Sequence, residues 1–210
     1  MSEDKILLYD EDIREPLSDY LEERFGKIRI FEEKTIGKSR ADMIMLTDDS
    51  ITGIEIKSDV DSYERLKRQI RDYNKYCDYN YAAVGESHEK HVHKHVPITW
   101  GILIIYVKEN KVCIEEKRAP RENPKVKKEN QMSMLWRPEL QHILEKNGLP
   151  KYKQKSKKFV QQSLLEKLEW TDLKLQMCEE LFERDYTLWN KELEAYKNAE
   201  NRYYLYKIFL

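Results

Sequence analysis

The first 118 residues alternate between hydrophobic patterns typical of helices and of strands. Ile13, Leu17 and Leu21 recur at helical spacing, which predicts a helix from about Asp12 to Phe25 that ends at Gly26. Three strand-like runs follow at residues 28–31, 43–46 and 51–57. The third run alternates strictly, so that two isoleucines face one side and a Glu and a Lys face the other. This pattern predicts a helix followed by a three-stranded meander.

A second helix and three further strands complete the predicted core. Asp61-x-x-Glu64 has the form of a capping box, and a helix is expected to follow as far as Cys77. Strands are predicted at residues 79–84, 100–107 and 111–115, with a short basic helix at 87–95. The order of helix, three-strand meander, helix and strand predicts an α/β fold for residues 1–118.

The sequence changes character after residue 118. Residues 119–130 hold two prolines and few apolar side chains, which is typical of a linker or surface loop. Pro138 can begin a helix that ends at Gly148. From 158 to 208 only helical spacing is found, with a break expected near Thr171 and Asp172. Residues 119–210 are therefore predicted to form a basic linker and a helical C-terminal region.

The charge of the chain is unevenly distributed. The 210 residues carry a formal charge of −1, but residues 117–170 hold 14 Lys or Arg against 6 Asp or Glu, a local charge of +8. A charge run is usually a solvated surface, yet a basic segment can also contact nucleic-acid phosphates. The lysines expected to bind nucleic acid are Lys151, Lys153, Lys155, Lys157 and Lys158.

Composition narrows the class of protein further. Three scattered cysteines provide neither a disulfide framework nor a zinc finger. No apolar run approaches the roughly 20 residues needed to cross a bilayer, and the N-terminus lacks a signal-peptide pattern. We therefore expect a cytoplasmic protein with no membrane partner. The oligomeric state is left open, with a dimer as one option.

Acidic, basic and amide side chains converge on the centre of the predicted core. Asp42 opens the second strand, Glu55 and Lys57 close the third, and Gln69 and Tyr73 share one face of the next helix. Two carboxylates on adjacent strands can hold Mg²⁺, or Mn²⁺ in its place, because these cations prefer oxygen ligands. A bound cation would promote attack of water on a phosphodiester.

These residues resemble the motifs of the PD-(D/E)XK nuclease superfamily. Arg40-Ala41-Asp42 and Gly53-Ile54-Glu55-Ile56-Lys57 match its two central motifs, with Ala41 in place of the superfamily's Pro. Gln69-x-x-x-Tyr73 is similar to the additional motif of its RecB- and Cas4-like branches. Flanking segments resemble a bacterial and phage branch; they are Val84-Gly85-Glu86, Trp100-Gly101, residues 121–124 and Leu135-Trp136-Arg137.

The resemblance implies a restriction-endonuclease-like core and a magnesium-dependent deoxyribonuclease. Asp42 and Glu55 would bind the metal, with the Ile56 carbonyl as a further ligand and Glu33 as an additional acid. Lys57 would assist the attacking water. Gln69 and Tyr73 would contact the substrate or shape the site.

Several alternatives stay open at this point. Glu22 and Glu23 compete with Glu33 for the role of extra acid, and Tyr73 can be an ordinary core residue. RNA is an alternative substrate to DNA. The same fold can also serve as a non-cleaving module, of phage or defence origin, that binds DNA or a protein.

Overall fold

A helix and a three-stranded meander form the N-terminal part of the computed structural model, which describes residues 6–184. Helix α1 spans Asp10–Phe25, and strands β1, β2 and β3 span Arg29–Ile36, Ser39–Leu46 and Ile51–Lys57. The three strands pair antiparallel in chain order. Gly37 at φ 59° allows the tight turn between β1 and β2. Both β1 and β2 extend beyond the short strands predicted from the sequence.

Helix α2, Leu66–Tyr76, carries the chain over the sheet to β4, Tyr79–Gly85, which pairs parallel to β3. A short 3₁₀ turn at Glu86–His88 and helix α3, Val92–His95, lead to β5, Gly101–Lys108, again parallel. Strand β6, Lys111–Arg118, returns antiparallel and completes a six-stranded sheet in the order β1 to β6. The α/β architecture predicted from the sequence is confirmed.

Hydrophobic side chains cover both faces of the sheet. On one face, Ile13, Leu17 and Leu21 of α1 pack on Ile54 and Ile56 of β3 and their strand neighbours. The other face is covered by α2 and by the C-terminal helices, which share one continuous hydrophobic cluster with it. Because alternate residues of a strand point to opposite faces, β3 can be buried on both sides at once.

Four C-terminal helices complete the described part of the chain. They are α4 (Lys128–Ser133), α5 (Arg137–Lys146), α6 (Lys157–Lys167) and α7 (Trp170–Phe182). Their apolar residues, such as Leu140, Leu164 and Leu173, belong to the same cluster as the sheet. The domain boundary at residue 118 stays a prediction, and the aromatic segment Tyr203–Leu210 lies outside the described residues. Between residues 6 and 184, no helix is long and apolar enough to cross a membrane.

Some element boundaries differ from the sequence prediction. Helix α2 begins at Leu66 without a capping box, because the Asp61 carboxylate instead accepts hydrogen bonds from the backbone N–H and hydroxyl of Ser58. The predicted helix at 87–95 is reduced to a 3₁₀ turn and one α-helical turn. The break between the last two helices comes at 168–169.

The predicted linker is anchored to the core by Asn123. The buried side-chain amide of Asn123 donates to the carbonyls of Asn74 and Cys77 at the end of α2. These bonds satisfy carbonyls that a helix terminus leaves without intrahelical partners. This stretch is therefore held to the core by specific hydrogen bonds, which its polar composition did not indicate.

Candidate active site

Strands β2 and β3 separate at the predicted acidic residues. Their pairing stops at Met43 and Ile54, and beyond that point the Tyr73 hydroxyl bridges the two backbones. The hydroxyl accepts the Asp42 N–H at 3.0 Å and donates to the Ile54 carbonyl at 3.1 Å. It thus satisfies two backbone groups that a closed ladder would have paired.

Gly53 makes room for the tyrosine. A Cβ at Gly53 would lie 2.4 Å from Cδ1 of the Tyr73 ring and 2.8 Å from Sγ of Cys77. No side chain larger than hydrogen fits there without moving α2. The glycine in the third strand therefore allows α2 to approach closely and to place the Tyr73 hydroxyl between the strands.

The Asp42 and Glu55 carboxylates lie close to each other at this opening. One oxygen of Asp42 accepts the Ile56 N–H at 2.8 Å. Burial, followed by repulsion from Glu55, raises the pKa of Asp42 to about 7. Burial also raises the pKa of Glu55, against the opposing effect of Lys57. Two carboxyl groups that are buried and close together favour either a shared proton or a bound cation, because both would otherwise carry negative charge.

Glu55 is fully buried, and one of its two carboxylate oxygens has a hydrogen-bond partner. Its Oε1 accepts a hydrogen bond from Nζ of Lys57 at 2.6 Å, and this ion pair is almost fully removed from solvent. Within residues 6–184, its Oε2 is buried without a hydrogen-bond partner, although Tyr73 and Asp42 lie near enough to influence the pKa of Glu55. A buried carboxylate oxygen without a partner is costly and calls for a proton or a cation.

A cavity of about 470 Å³ opens onto these groups. The structure brings Asp42, Ile56, Lys57 and Gln69 of the predicted site to its lining, together with Glu33. Glu55 lies beneath the cavity, and Tyr73 is fully buried behind it. The Oε1 atom of Gln69 is buried without a hydrogen-bond partner. The residues are thus assembled, while their catalytic and metal-binding roles stay predictions.

The cavity has a basic rim of five Arg or Lys side chains, set among the acids Asp10, Glu33, Asp42 and Asp61, and the sequence motifs did not indicate it. Arg14, Lys38, Arg40, Arg65 and Arg68 all line it. Among residues 6–184, the side chains of Lys38, Arg65 and Arg68 have no hydrogen-bonded or ion-paired partner. Arg65, Arg68 and Gln69 stand at i, i+3 and i+4, so helical spacing did contain a signal for two of these residues.

Glu33 lies at the rim in an ion-pair network. Its carboxylate pairs with Nη2 of Arg14 at 2.7 Å and also with Arg40. The backbone of Glu33 is left-handed, at φ 54°, which is uncommon for a non-glycine residue. As a consequence, Glu32 and Glu33 both reach Arg14 of α1. The proposed role of Glu33 as a metal ligand stays a prediction, and two arginines neutralise its carboxylate.

The donor set fits a hard divalent cation. Asp42 and Glu55 provide two carboxylates, and Ile56 directs its N–H toward Asp42, so its carbonyl lies on the same open strand edge. In the part of the chain that the structure describes, no group of three or more His, Cys, Asp or Glu side chains could hold a metal. Mg²⁺ commonly binds through one or two carboxylates and retains several waters. The pair and the unsatisfied Oε2 atom therefore suit such an ion.

The basic segment lies outside this cavity. Lys151 pairs with Glu145 at 2.7 Å, and Nζ of Lys157 donates to the Ser133 carbonyl at 3.0 Å. Lys155 lies over the Phe159 ring. The side chains of Lys153 and Lys158 are exposed. The predicted contribution of these lysines to nucleic-acid binding stays a prediction.

Comparison with known proteins places the chain among phage proteins. A solved structure of Pyrococcus furiosus SfsA in complex with Ca²⁺ is similar at 13% identity with a TM-score of 0.33; the match covers 56% of this chain and 63% of the SfsA chain. No match is found among curated proteins. The family model described as Bacteriophage P4 protein cII matches residues 5–202, almost the whole length of the chain. The chain therefore belongs to the bacteriophage P4 cII protein family.

Proposed function

We propose that this protein is a metal-dependent nuclease that hydrolyses phosphodiester bonds of DNA and belongs to the PD-(D/E)XK superfamily. The observation that carries the proposal is the unsatisfied Oε2 of Glu55 beside Asp42, beneath a cavity rimmed by cations. The carboxylates suit a divalent cation, and the rim suits the phosphates of the substrate. Neither feature alone would favour a nuclease, because each fits other ligands as well.

Each side chain has a distinct role in the proposed reaction. The Mg²⁺ or Mn²⁺ ion, when bound, supplies positive charge to the scissile phosphate and lowers the pKa of water. Asp42, Glu55 and the Ile56 carbonyl would hold that ion. Lys57, already beside Glu55, would orient the attacking water or a phosphate oxygen.

The remaining residues position the substrate and the site. Arg65, Arg68 and Lys38 would bind phosphates on either side of the scissile bond, contacts that fix register without reading sequence. Gln69 would offer its side-chain amide to the substrate at the cavity wall. Tyr73 holds the two strands apart through backbone groups, so it acts as a positioning residue.

Cleavage assays with matched variants test the proposal. Purified protein is incubated with labelled single-stranded, duplex and branched DNA, and with RNA, in Mg²⁺, Mn²⁺ or EDTA. Glu55→Gln and Lys57→Met should each reduce cleavage at least 100-fold. Glu115→Gln and Lys117→Met provide the control, because they alter another i, i+2 Glu–Lys pair, on the exposed strand β6. Absence of cleavage by the wild type in both metals, or equal cleavage by all variants, would refute the nuclease assignment.

The Lys57–Glu55 ion pair also favours a second candidate, a non-cleaving DNA-binding module. The Lys57 ammonium pairs with Glu55 at 2.6 Å and balances the charge of one of the two acids. Such a module would bind DNA in EDTA and would keep its affinity in Asp42→Ala. A nuclease would cleave DNA as the wild type and lose cleavage in Asp42→Ala, whereas the module would cleave in neither protein, so the comparison of wild type and variant distinguishes the two candidates.

A further inference from the structure

A second cluster of cations lies on the helical side of β1, outside the cavity. The left-handed backbone of Glu33 breaks the alternation of the strand. As a result, Phe31 and Lys34 face the same side, and Nζ of Lys34 lies 5.8 Å from the centre of the Phe31 ring. Lys34 is partly buried. It forms no ion pair or hydrogen bond through its side chain with any residue between 6 and 184.

A buried arginine lies in the same place. The Arg184 guanidinium forms a two-point ion pair with the Glu139 carboxylate, at 2.6 Å from Nε and 2.7 Å from Nη2. Both side chains are fully buried, and Nη1 of Arg184 has no hydrogen-bond partner. The guanidinium also stacks 4.1 Å from the Trp136 ring centre. The carboxylate also accepts the Trp136 N–H at 2.6 Å, so both of its oxygens already have hydrogen-bond donors.

The N-terminus of α6 adds positive charge to this cluster. Ser156 caps the helix by accepting the Phe159 N–H at 3.2 Å, so Lys157 and Lys158 occupy the first turn. A helix N-terminus carries partial positive charge and favours acidic side chains. Between residues 6 and 184, no carboxylate pairs with either lysine, and the Lys157 ammonium donates to the Ser133 carbonyl at 3.0 Å. The preceding loop is fixed by Arg137, which donates to the Tyr152 carbonyl at 2.7 Å.

Contacts and electrostatic effects connect these groups. The Arg184 guanidinium lies 5.8 Å from the centre of the Phe31 ring that Lys34 also approaches. It donates to the Met134 carbonyl, next to the Ser133 carbonyl that accepts from Lys157. Burial, followed by repulsion from Arg184, lowers the pKa of Lys34 to about 8, and Lys157 contributes in the same direction. Burial lowers the pKa of Lys157, attraction to Glu139 opposes this shift, and repulsion from Arg184 adds to it. Three cations thus surround one carboxylate. An anion bound among them would remove the repulsion.

We propose that Lys34, Lys157 and the N-terminus of α6 form a phosphate-binding subsite for the DNA backbone, separate from the cavity. Arg184 is buried below these groups and contributes positive charge to the subsite without contacting the phosphate. The proposal rests on the proposed function, since the adjacent residue Glu33 lines the cavity and a DNA strand entering it would pass Lys34. The subsite would hold a phosphate of that strand outside the reacting bond.

The experiment measures binding of a fluorescein-labelled oligonucleotide by anisotropy, in EDTA and at several salt concentrations. The Lys34→Gln, Lys157→Gln double variant should bind about tenfold more weakly at 0.1 M salt and reduce the log–log salt slope by about 1, as expected for one lost phosphate contact. The control is Lys117→Gln, Lys146→Gln, because Glu115 and Glu179 already neutralise these lysines. Its slope should match the wild type.

Three outcomes would overturn the subsite. Unchanged affinity and slope in the double variant would do so, as would an equal loss in the control. A thermal shift by inorganic phosphate that the double variant abolishes, with DNA binding intact, would assign the site to free phosphate. Because binding is measured in EDTA, failure of the subsite is distinguishable from failure of the nuclease proposal. Circular dichroism checks folding, which removal of two mutually repelling charges should not impair.

Discussion

Substitution of Asp42 by Asn is expected to stabilise the metal-free protein at pH 8. At that pH the Asp42 carboxylate is ionised, partly buried and close to Glu55, and each of these conditions raises its free energy. Asn has the same shape and remains neutral. Its side-chain oxygen can still accept the Ile56 N–H, so the hydrogen bond across the strand opening is retained.

The size of the effect follows from the pKa of Asp42. The pKa is about 7 in the folded protein and 3.8 ordinarily, so the folded state binds the proton more tightly than the unfolded state. The contribution of Asp42 to the free energy of unfolding is therefore largest below about pH 4, and it falls as the pH rises from about 4 to 7. The full difference between the folded and unfolded pKa values corresponds to about 4 kcal/mol in the free energy of unfolding. Solvent access and repacking reduce the expected gain for Asp42→Asn to about 1–3 kcal/mol at pH 8.

Urea unfolding in EDTA at pH 4.5, 6 and 8 measures this difference. The variant's advantage should be small at pH 4.5 and should grow through pH 6 to its full value at pH 8. Asp19→Asn serves as a control, because Asp19 is an exposed residue of α1. A variant that is less stable than wild type at pH 8, or an advantage independent of pH, would refute the electrostatic reasoning.

Added metal should reverse the ranking of the two proteins. Mg²⁺ or Mn²⁺ binding only to the folded state stabilises it by about 4.1 kcal/mol at about 1,000 times the dissociation constant, which exceeds the advantage of the variant. The wild type should gain this stabilisation at pH 8, whereas Asp42→Asn lacks one of the two carboxylates and should gain much less. Equal stabilisation of both proteins would place the metal elsewhere, and none in either would exclude a metal role for Asp42.

Three further predictions concern the structural support of the site, and urea unfolding at pH 7 measures each of them. Tyr73→Phe should cost about 1–3 kcal/mol, because two buried backbone groups lose their bridging hydroxyl; an unchanged midpoint would show that water replaces it. Gly53→Ala should cost about 1–3 kcal/mol by overpacking against the tyrosine ring, and wild-type stability would contradict the close approach. Arg184→Met should cost about 3–5 kcal/mol by leaving Glu139 buried and unpaired, and Glu139→Leu in the same chain should restore most of that loss.

The centre of the site was predictable because it depends on short-range periodicity. Glu55 and Lys57 share a strand face two residues apart, and Gln69 and Tyr73 share a helix face four residues apart. These spacings hold wherever the strand and the helix are placed. The meander and the α2 crossover then bring Asp42 to the same edge, so the sequence was sufficient to assemble the group.

The basic rim and the second cation cluster depend on contacts that no local pattern contains. The left-handed conformation of Glu33 turns Lys34 toward the C-terminal helices, and a glutamate gives no sequence signal for such a backbone. Arg184 lies 150 residues from Lys34 along the chain and meets it only because α7 packs on the sheet. Long-range packing of this kind is not visible in hydrophobic periodicity.

The candidate site forms where strands β2 and β3 stop pairing, beyond Met43 and Ile54. If β2 and β3 had continued to pair beyond Met43 and Ile54, strand-to-strand hydrogen bonds would have used the Asp42 N–H and the Ile54 carbonyl, which now bond to the Tyr73 hydroxyl. The Ile56 carbonyl would then be a ladder acceptor rather than a potential ligand. The opening depends on a glycine in β3 and a tyrosine on α2, neither of which carries charge. Loss of Tyr73 should therefore weaken Mn²⁺ binding at the proposed site, although the proposed ligands Asp42, Glu55 and the Ile56 carbonyl are all still present.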